Sequence, residues 1–135
     1  MTLNLRVLAP DNSVYDGSAD EVILPSTTGQ MGILTGHVSM LTALDSGVLR
    51  LRQGGNWTAI ALSGGFAEVD ANEVTVLVNA AQLGSSIDAA AAEKELEAAR
   101  TKVQGFEGKP SSPEKVKAEQ VLATARARLS ASRGG

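Results

Sequence analysis

Near residue 85 the chain changes its code, and no single layer of secondary structure accommodates both halves. Before that point apolar and polar residues alternate: Leu3, Leu5 and Val7 are separated by Asn4 and Arg6, and Leu49 and Leu51 by Arg50. A period of two buries one face of a strand and leaves the other wet. The run 21–24 stops at Pro25, 57–62 reads as another strand, and 66–69 and 74–78 flank Asp70-Ala71-Asn72-Glu73, which has hairpin-turn chemistry. Short strands punctuated by Gly, Asn, Asp and Ser predict an antiparallel β-sandwich or barrel.

From Ile87 onward Ala, Glu, Lys and Leu dominate, and these are strong helix formers. Asp88 suits an N-cap, with Ile87 before it as a staple, and Ala92, Leu96, Ala99 and Val103 keep helical spacing. Two Gly and two Pro interrupt the pattern over 105–113. Ser112-Pro113-Glu114 then opens a second helix with a cap, a Pro at the first position and an acid in the first turn. Its inner face is predicted from Ala118, Val121, Leu122, Ala125 and Leu129. The expected organisation is a β-sandwich domain over 1–85 and an antiparallel two-helix hairpin over 86–135. Burial is worth about 25 cal/mol per Å2 of apolar area, so stripes this rich in Ala predict weak docking of the hairpin.

Charge follows the same division. Residues 1–87 carry three Arg against eight acids, whereas 113–135 hold Lys115, Lys117, Arg126, Arg128 and Arg133 against Glu114 and Glu119. An acidic body thus ends in a basic helix, within a formal net charge of -3 that argues against general polyanion binding. The lack of Cys excludes disulfides, thiolate nucleophiles and a redox switch, and the single His, His37, excludes a multi-histidine metal site. No stretch resembles a signal peptide or a bilayer-spanning run.

Enzyme motifs fail in turn. Gly29-Gln30-Met31-Gly32 and Ser63-Gly64-Gly65 lack the Lys of a phosphate-binding loop and read as turns or bulges. His37 follows Gly36 after an apolar run and suits a structural or interface role better than catalysis, and the carboxylates are scattered on polar faces. Tyr15, Trp57, Phe66 and Phe106 are too dispersed to stack nucleic-acid bases. Read alone, the cations of the second helix are a solvated face that complements the C-terminal dipole. The residues describe a non-enzymatic β-domain with a detachable, basic-tipped hairpin.

Leu24-Pro25-Ser26-Thr27-Thr28-Gly29-Gln30-Met31-Gly32-Ile33-Leu34-Thr35-Gly36-His37 resembles the pattern L-P-x-x-x-G-x-x-G-I-L-x-x-H of the epsilon subunit family of F-type ATP synthases. The segments 40–50 and 62–69 and the valine-rich 74–78 are similar too, and the likeness covers essentially the whole chain, closest in wording to cyanobacterial and plastid members. It implies a flattened β-sandwich with a two-helix C-terminal domain, in a non-catalytic central-stalk subunit that couples proton flow through the c-ring to ATP synthesis. The loop of Ser26, Thr27, Thr28, Gly29, Gln30 and Met31 is then expected to face the c-ring, and His37 and Thr42 the gamma subunit.

The resemblance further implies that the hairpin either folds on the sandwich or extends toward the catalytic head. Extended, it opposes ATP hydrolysis, with Lys115, Lys117, Arg126 and Arg128 facing an acidic segment of the beta subunit, beside alpha. Partly desolvated charge-assisted pairs of that kind contribute on the order of 1–3 kcal/mol each. This reverses the solvated-face reading of those cations. ATP-binding members carry I/L-D-x-x-R-A at the first helix, and here the run is Ile87-Asp88-Ala89-Ala90-Ala91-Ala92. Asp88 is retained, Ala91 replaces the Arg, and Arg126 is a second candidate contact, so weak or absent ATP binding and no cofactor are expected. The alternative is an ATP-sensing module whose hairpin closes on nucleotide through Asp88 and Arg126. The implied location is peripheral, on the cytoplasmic or stromal face of a cyanobacterial thylakoid membrane.

Overall fold

The computed structural model describes residues 2–134. Eight strands come first: β1 (Leu3–Ala9), β2 (Asn12–Ala19), β3 (Glu21–Ser26), β4 (Gly29–Ile33), β5 (Met40–Leu44), β6 (Gly47–Gln53), β7 (Asn56–Asp70) and β8 (Glu73–Leu83). A single 3-10 turn at Gly84–Ser86 leads into α1 (Ala89–Gln104) and α2 (Pro113–Ser132). The strands join edge to edge in the order β2-β1-β8-β7-β5-β3-β4, with β6 pairing both β3 and β7. All these pairs are antiparallel except β1 with β8, whose parallel ladder runs from Asn4 opposite Glu73 to Leu8 opposite Leu77. The sheet folds over itself around a core that includes Leu3, Leu5, Val22, Leu24, Leu51 and Ile60, each at most 1% exposed.

The long strand β7 is shared by both layers. Its first half pairs with β6 (Gly47 opposite Leu62) and its second half with β5 (Leu44 opposite Gly65). Gly64-Gly65 lies between the halves with φ of +50° and +152°, so the expected turn or bulge is instead a special pair inside one continuous strand. Register with β8 holds on both sides of it, Ser63 opposite Ala80 and Gly65 opposite Val78. A Cβ at Gly65 would fall 2.1 Å from the Leu77 carbonyl oxygen, so only glycine fits.

Both helices start as the sequence predicts. The Asp88 carboxylate accepts from the amides of Ala90 and Ala91, and Ser112 Oγ accepts from the Lys115 amide, 3.1 Å away, with Pro113 following at N1. The hairpin lies folded on the sandwich. A second core cluster gathers Ala59 and Ala61 of β7 with Ala92, Leu96 and Ala99 of α1 and Leu122, Ala125, Ala127, Leu129 and Ala131 of α2. Val121, expected inside, is 49% exposed, whereas Ala127 and Ala131 are buried. The reason is that α2 has two contacts to make, with α1 and with the sheet, and the sheet-facing positions fall outside the single stripe. At the helix end Gly84 lies beneath Ala131, where a Cβ would meet the carbonyl oxygen at 2.1 Å. Two of the seam's polar links are long: Thr124 Oγ1 is 3.4 Å from Ser63 Oγ and 3.5 Å from Ser46 Oγ.

Candidate functional site

The segment expected to face a ring is a tight β-hairpin. Ser26 ends β3 opposite Gly29 in β4, Thr27-Thr28 form the turn, and Gln30 and Met31 pair with Pro25 and Leu24. Gly29, with φ of +121°, supplies the conformation that closes the turn. Thr27, Thr28, Gly29 and Gln30 are exposed and Met31 half-buried, but Ser26 is buried. Its Oγ lies 3.1 Å from Thr28 Oγ1 and 3.3 Å from Thr42 Oγ1. Ser26 therefore clips the hairpin to β5 from within, and Thr42 shares that inner contact.

His37 lies in the β4–β5 connection, which is fastened to the β7–β8 turn. The Gly36 amide donates to Asn72 Oδ1 at 2.7 Å, and Ser39 Oγ donates to Asp70 Oδ1 at 2.7 Å. His37 Nδ1 donates to its neighbour's carbonyl, that of Val38, at 2.8 Å. Around this loop the surface turns apolar: Val38 is 74% and Leu41 69% exposed, with Leu34 also outside. The outer row continues through Ala43, Phe66 and Leu77, which stand in register across β5, β7 and β8. Exposed apolar side chains gathered on one face are what an interaction surface presents, with Glu68 opposite Leu41 as the charged member of the row. The sequence reading missed Phe66 and Leu77, although the alternation held the signal. Ala67 and Val69 face inward, as do Val76 and Val78, so Phe66 and Leu77 fall on the phase that should be polar.

The four cations of α2 do not form one face. At about 100° per residue, Lys117 and Arg128 share one side, and Lys115 and Arg126 lie roughly opposite. Accordingly Lys117 and Arg128 line a groove of about 640 Å3 between the helices, with Glu95, Lys102 and Ser63. Arg128 donates to Glu95 Oε2 at 3.1 Å and to Gln82 Oε1, tying α2 to both α1 and β8. Lys115 turns back to donate to the Lys109 carbonyl at 2.8 Å. Arg126 is exposed and lines a separate groove toward β6.

The nucleotide pair of the alternative reading is not assembled. Asp88 uses its carboxylate to cap α1, the Ala91 methyl is exposed, and Arg126 lines a groove of which Asp88 is no part. Among the described residues no helix is long and apolar enough to cross a membrane.

Two family models divide the chain between them: ATP synthase delta/epsilon chain, beta-sandwich domain, matches residues 2–84, and the long alpha-helix domain of the same chain matches 85–133. The chain belongs to the ATP synthase delta/epsilon family. Within it, the chain is 71% identical to the ATP synthase epsilon chain of Synechococcus sp. (strain CC9902), with 98% of each chain covered. It is 62% identical to that of Prochlorococcus marinus (strain MIT 9303), covering 98% of this chain and 100% of the relative. A chain in the mitochondrial ATP synthase of Euglena gracilis, solved with OSCP, F1 and c-ring, superposes with a TM-score of 0.80 at 26% identity over 98% of this chain and 81% of that one. A chain of the Tetrahymena thermophila mitochondrial ATP synthase shares the fold, with a TM-score of 0.62 at 16% identity over 97% and 96%. The chain is thus an epsilon-type, non-catalytic subunit of F-type ATP synthase, with the central-stalk fold.

Proposed function

We propose that this chain joins the rotor shaft to the c-ring of a proton-translocating ATP synthase and restrains ATP hydrolysis through its C-terminal helices. The observation that carries the second part is the seam: a basic helix held down on an alanine-rich surface, whose half-buried Arg128 is already engaged by Glu95 and Gln82. A switch needs two states separated by a small gap. An alanine floor keeps that gap small, and extension exchanges the Glu95 contact for an acidic partner. In this reading Lys115, Lys117, Arg126 and Arg128 meet the beta subunit, beside alpha, once the hairpin extends. That role requires extension, because in the folded posture Lys117 and Arg128 face the groove beside α1 and Arg128 is engaged by Glu95 and Gln82.

The apolar row of Val38, Leu41, Phe66 and Leu77, beside His37, supports docking of the gamma subunit there. The exposed tip Thr27 to Met31, uncharged and stiffened from beneath by Ser26 and Thr42, suits close contact with the polar loops of a c-ring. The relatives come from marine and other Synechococcus and Prochlorococcus strains, which favours the thylakoid membrane, with the subunit peripheral on its cytoplasmic face. ATP is bound weakly or not at all; a submicromolar dissociation constant by titration calorimetry would refute this. The deciding experiment measures ATP hydrolysis by the cognate catalytic complex with the full chain and with a version ending at Ser86. Inhibition by the full chain alone is expected. Equal inhibition by both would place the brake in the sandwich.

A further inference from the structure

The sequence contains seven arginines. Five have a carboxylate within reach: Arg6 pairs with Glu73, Arg52 with Asp20 and Glu21, Arg100 with Glu97, Arg128 with Glu95 and Arg133 with Glu93. Among the described residues only Arg50 and Arg126 have none, and these two line the same groove. The groove, about 430 Å3, runs along the seam between β6 and α2, and no acidic side chain lines it. Gln30, Ser46 and Ser130 add an amide and two hydroxyls. Ser46 Oγ accepts from Thr124 Oγ1, which leaves its own hydrogen free to donate. Arg50 is steadied by the Trp57 ring, whose centroid is 5.7 Å from the guanidinium carbon.

We propose that this groove binds a phosphate group, inorganic or on a lipid headgroup, between Arg50 and Arg126. Two guanidinium groups without a carboxylate partner leave the positive charge of the groove uncompensated, and a multiply charged oxyanion relieves this while accepting from both. A carboxylate presents two oxygens in one plane, and a guanidinium fork takes both from one side. A phosphate has a third oxygen for the opposite wall, and arginine's planar fork suits it. Because one arginine belongs to the sandwich and the other to α2, the ligand bridges the seam. It binds the folded posture and not the extended one, so it holds the hairpin down by mass action. The site shares Arg126 with the alternative reading but sets it against Arg50 instead of Asp88, and it stands whether or not the extended hairpin inhibits hydrolysis.

The test uses the isolated full-length chain, so its outcome is independent of the hydrolysis assay. Inorganic phosphate is titrated at constant ionic strength, with chloride as the balance, while thermal midpoint and emission of the single Trp57 are followed. A saturable rise in midpoint with a change in emission is expected. Arg126→Gln and Arg50→Gln should each raise the half-saturating concentration by about tenfold, the loss of one charge-assisted contact. For Arg50→Gln, which removes the reporter's neighbour, the midpoint is the readout. Arg100→Gln, outside the groove, should titrate as wild type. In a second arm, vesicles containing phosphatidic acid are compared with pure phosphatidylcholine. Arginine-dependent binding to those vesicles without a response to inorganic phosphate assigns the group to a lipid headgroup. The proposal is overturned if neither probe gives a response, if chloride reproduces the effect, or if both variants titrate as wild type.

Discussion

The sandwich interior and the hairpin seam are both buried, yet they are built from different side chains and hold different amounts. Inside the sandwich Leu3, Leu5, Leu24, Leu49, Leu51 and Ile60 are closed off from water. Each such side chain contributes about 1.5–3 kcal/mol over its exposed state. On the seam the sheet offers Ala59 and Ala61 with the half-buried Val48, and α2 brings Ala127 and Ala131, with Leu122 and Leu129 the larger side chains of the cluster. An alanine has one methyl to bury, so the second interface brings backbones close without accumulating much apolar area. Its polar links are few: the Arg128–Gln82 bond and two long hydroxyl contacts of Thr124. The first region is made to stay closed, and the second to be opened at modest cost.

That contrast is most strongly tested from the sandwich side. Leu5→Ala or Leu51→Ala should cost about 2–5 kcal/mol in denaturant unfolding, because each leaves a cavity in a tightly closed core. The helices should lose protection in the same transition, since their floor goes with it. Gly84→Val should separate the two regions. Its side chain occupies the space of the Ala131 carbonyl, so α2 must lift, and amide exchange in α2 should quicken while β1, β7 and β8 remain protected. Unchanged exchange in α2 would mean that the close approach at Gly84 does not hold the seam.

Smaller effects sharpen the comparison. Glu95→Gln removes the carboxylate from Arg128 but leaves Gln82, and for a partly exposed pair the expected loss is about 0.2–1 kcal/mol, read as faster exchange in the hairpin alone. A cycle with Arg128→Gln isolates the pair, and a coupling of zero would remove the pair from the account of the folded posture. The smallest expected effect lies in the sandwich. Burial raises the Tyr15 pKa above its ordinary value, while its hydroxyl donates to the Ser18 carbonyl at 2.7 Å. The unfolded chain therefore ionises first. The contribution is complete below the ordinary tyrosine pKa and is lost as pH rises through the raised one. Tyr15→Phe should flatten that alkaline limb, and an unchanged limb would assign it to other groups.

The strands that carry alternation, such as β1 and β6, were legible in the sequence, as were both helix starts, where Asp88 and Ser112 cap as expected. Other features required the third dimension. The strand β2 (Asn12–Ala19) carries no apolar alternation, because its side chains are mostly polar or small and it lies at the end of the sheet order. Val121 satisfied a helical stripe but faces outward, since the docking of α2 on both α1 and β7 rotates the buried sector toward Ala127 and Ala131. The basic side chains could be named from composition, but not their distribution. Engagement of Arg128 and isolation of Arg126 both depend on which groove each side of the helix meets.

The parallel ladder between β1 and β8 also bears on how the molecule is made. Asn4 cannot find Glu73, nor Leu8 find Leu77, until most of the first domain has left the ribosome, so the opening strand waits for the last. Pairing of chain segments so remote is slow compared with forming a helix. The residues that build α1 and α2 emerge only after that ladder can close, and they arrive at a floor whose parts have all been synthesised. The order of translation thus assembles the anchor before the movable arm, and the arm's alanines are added to a surface already prepared to receive them.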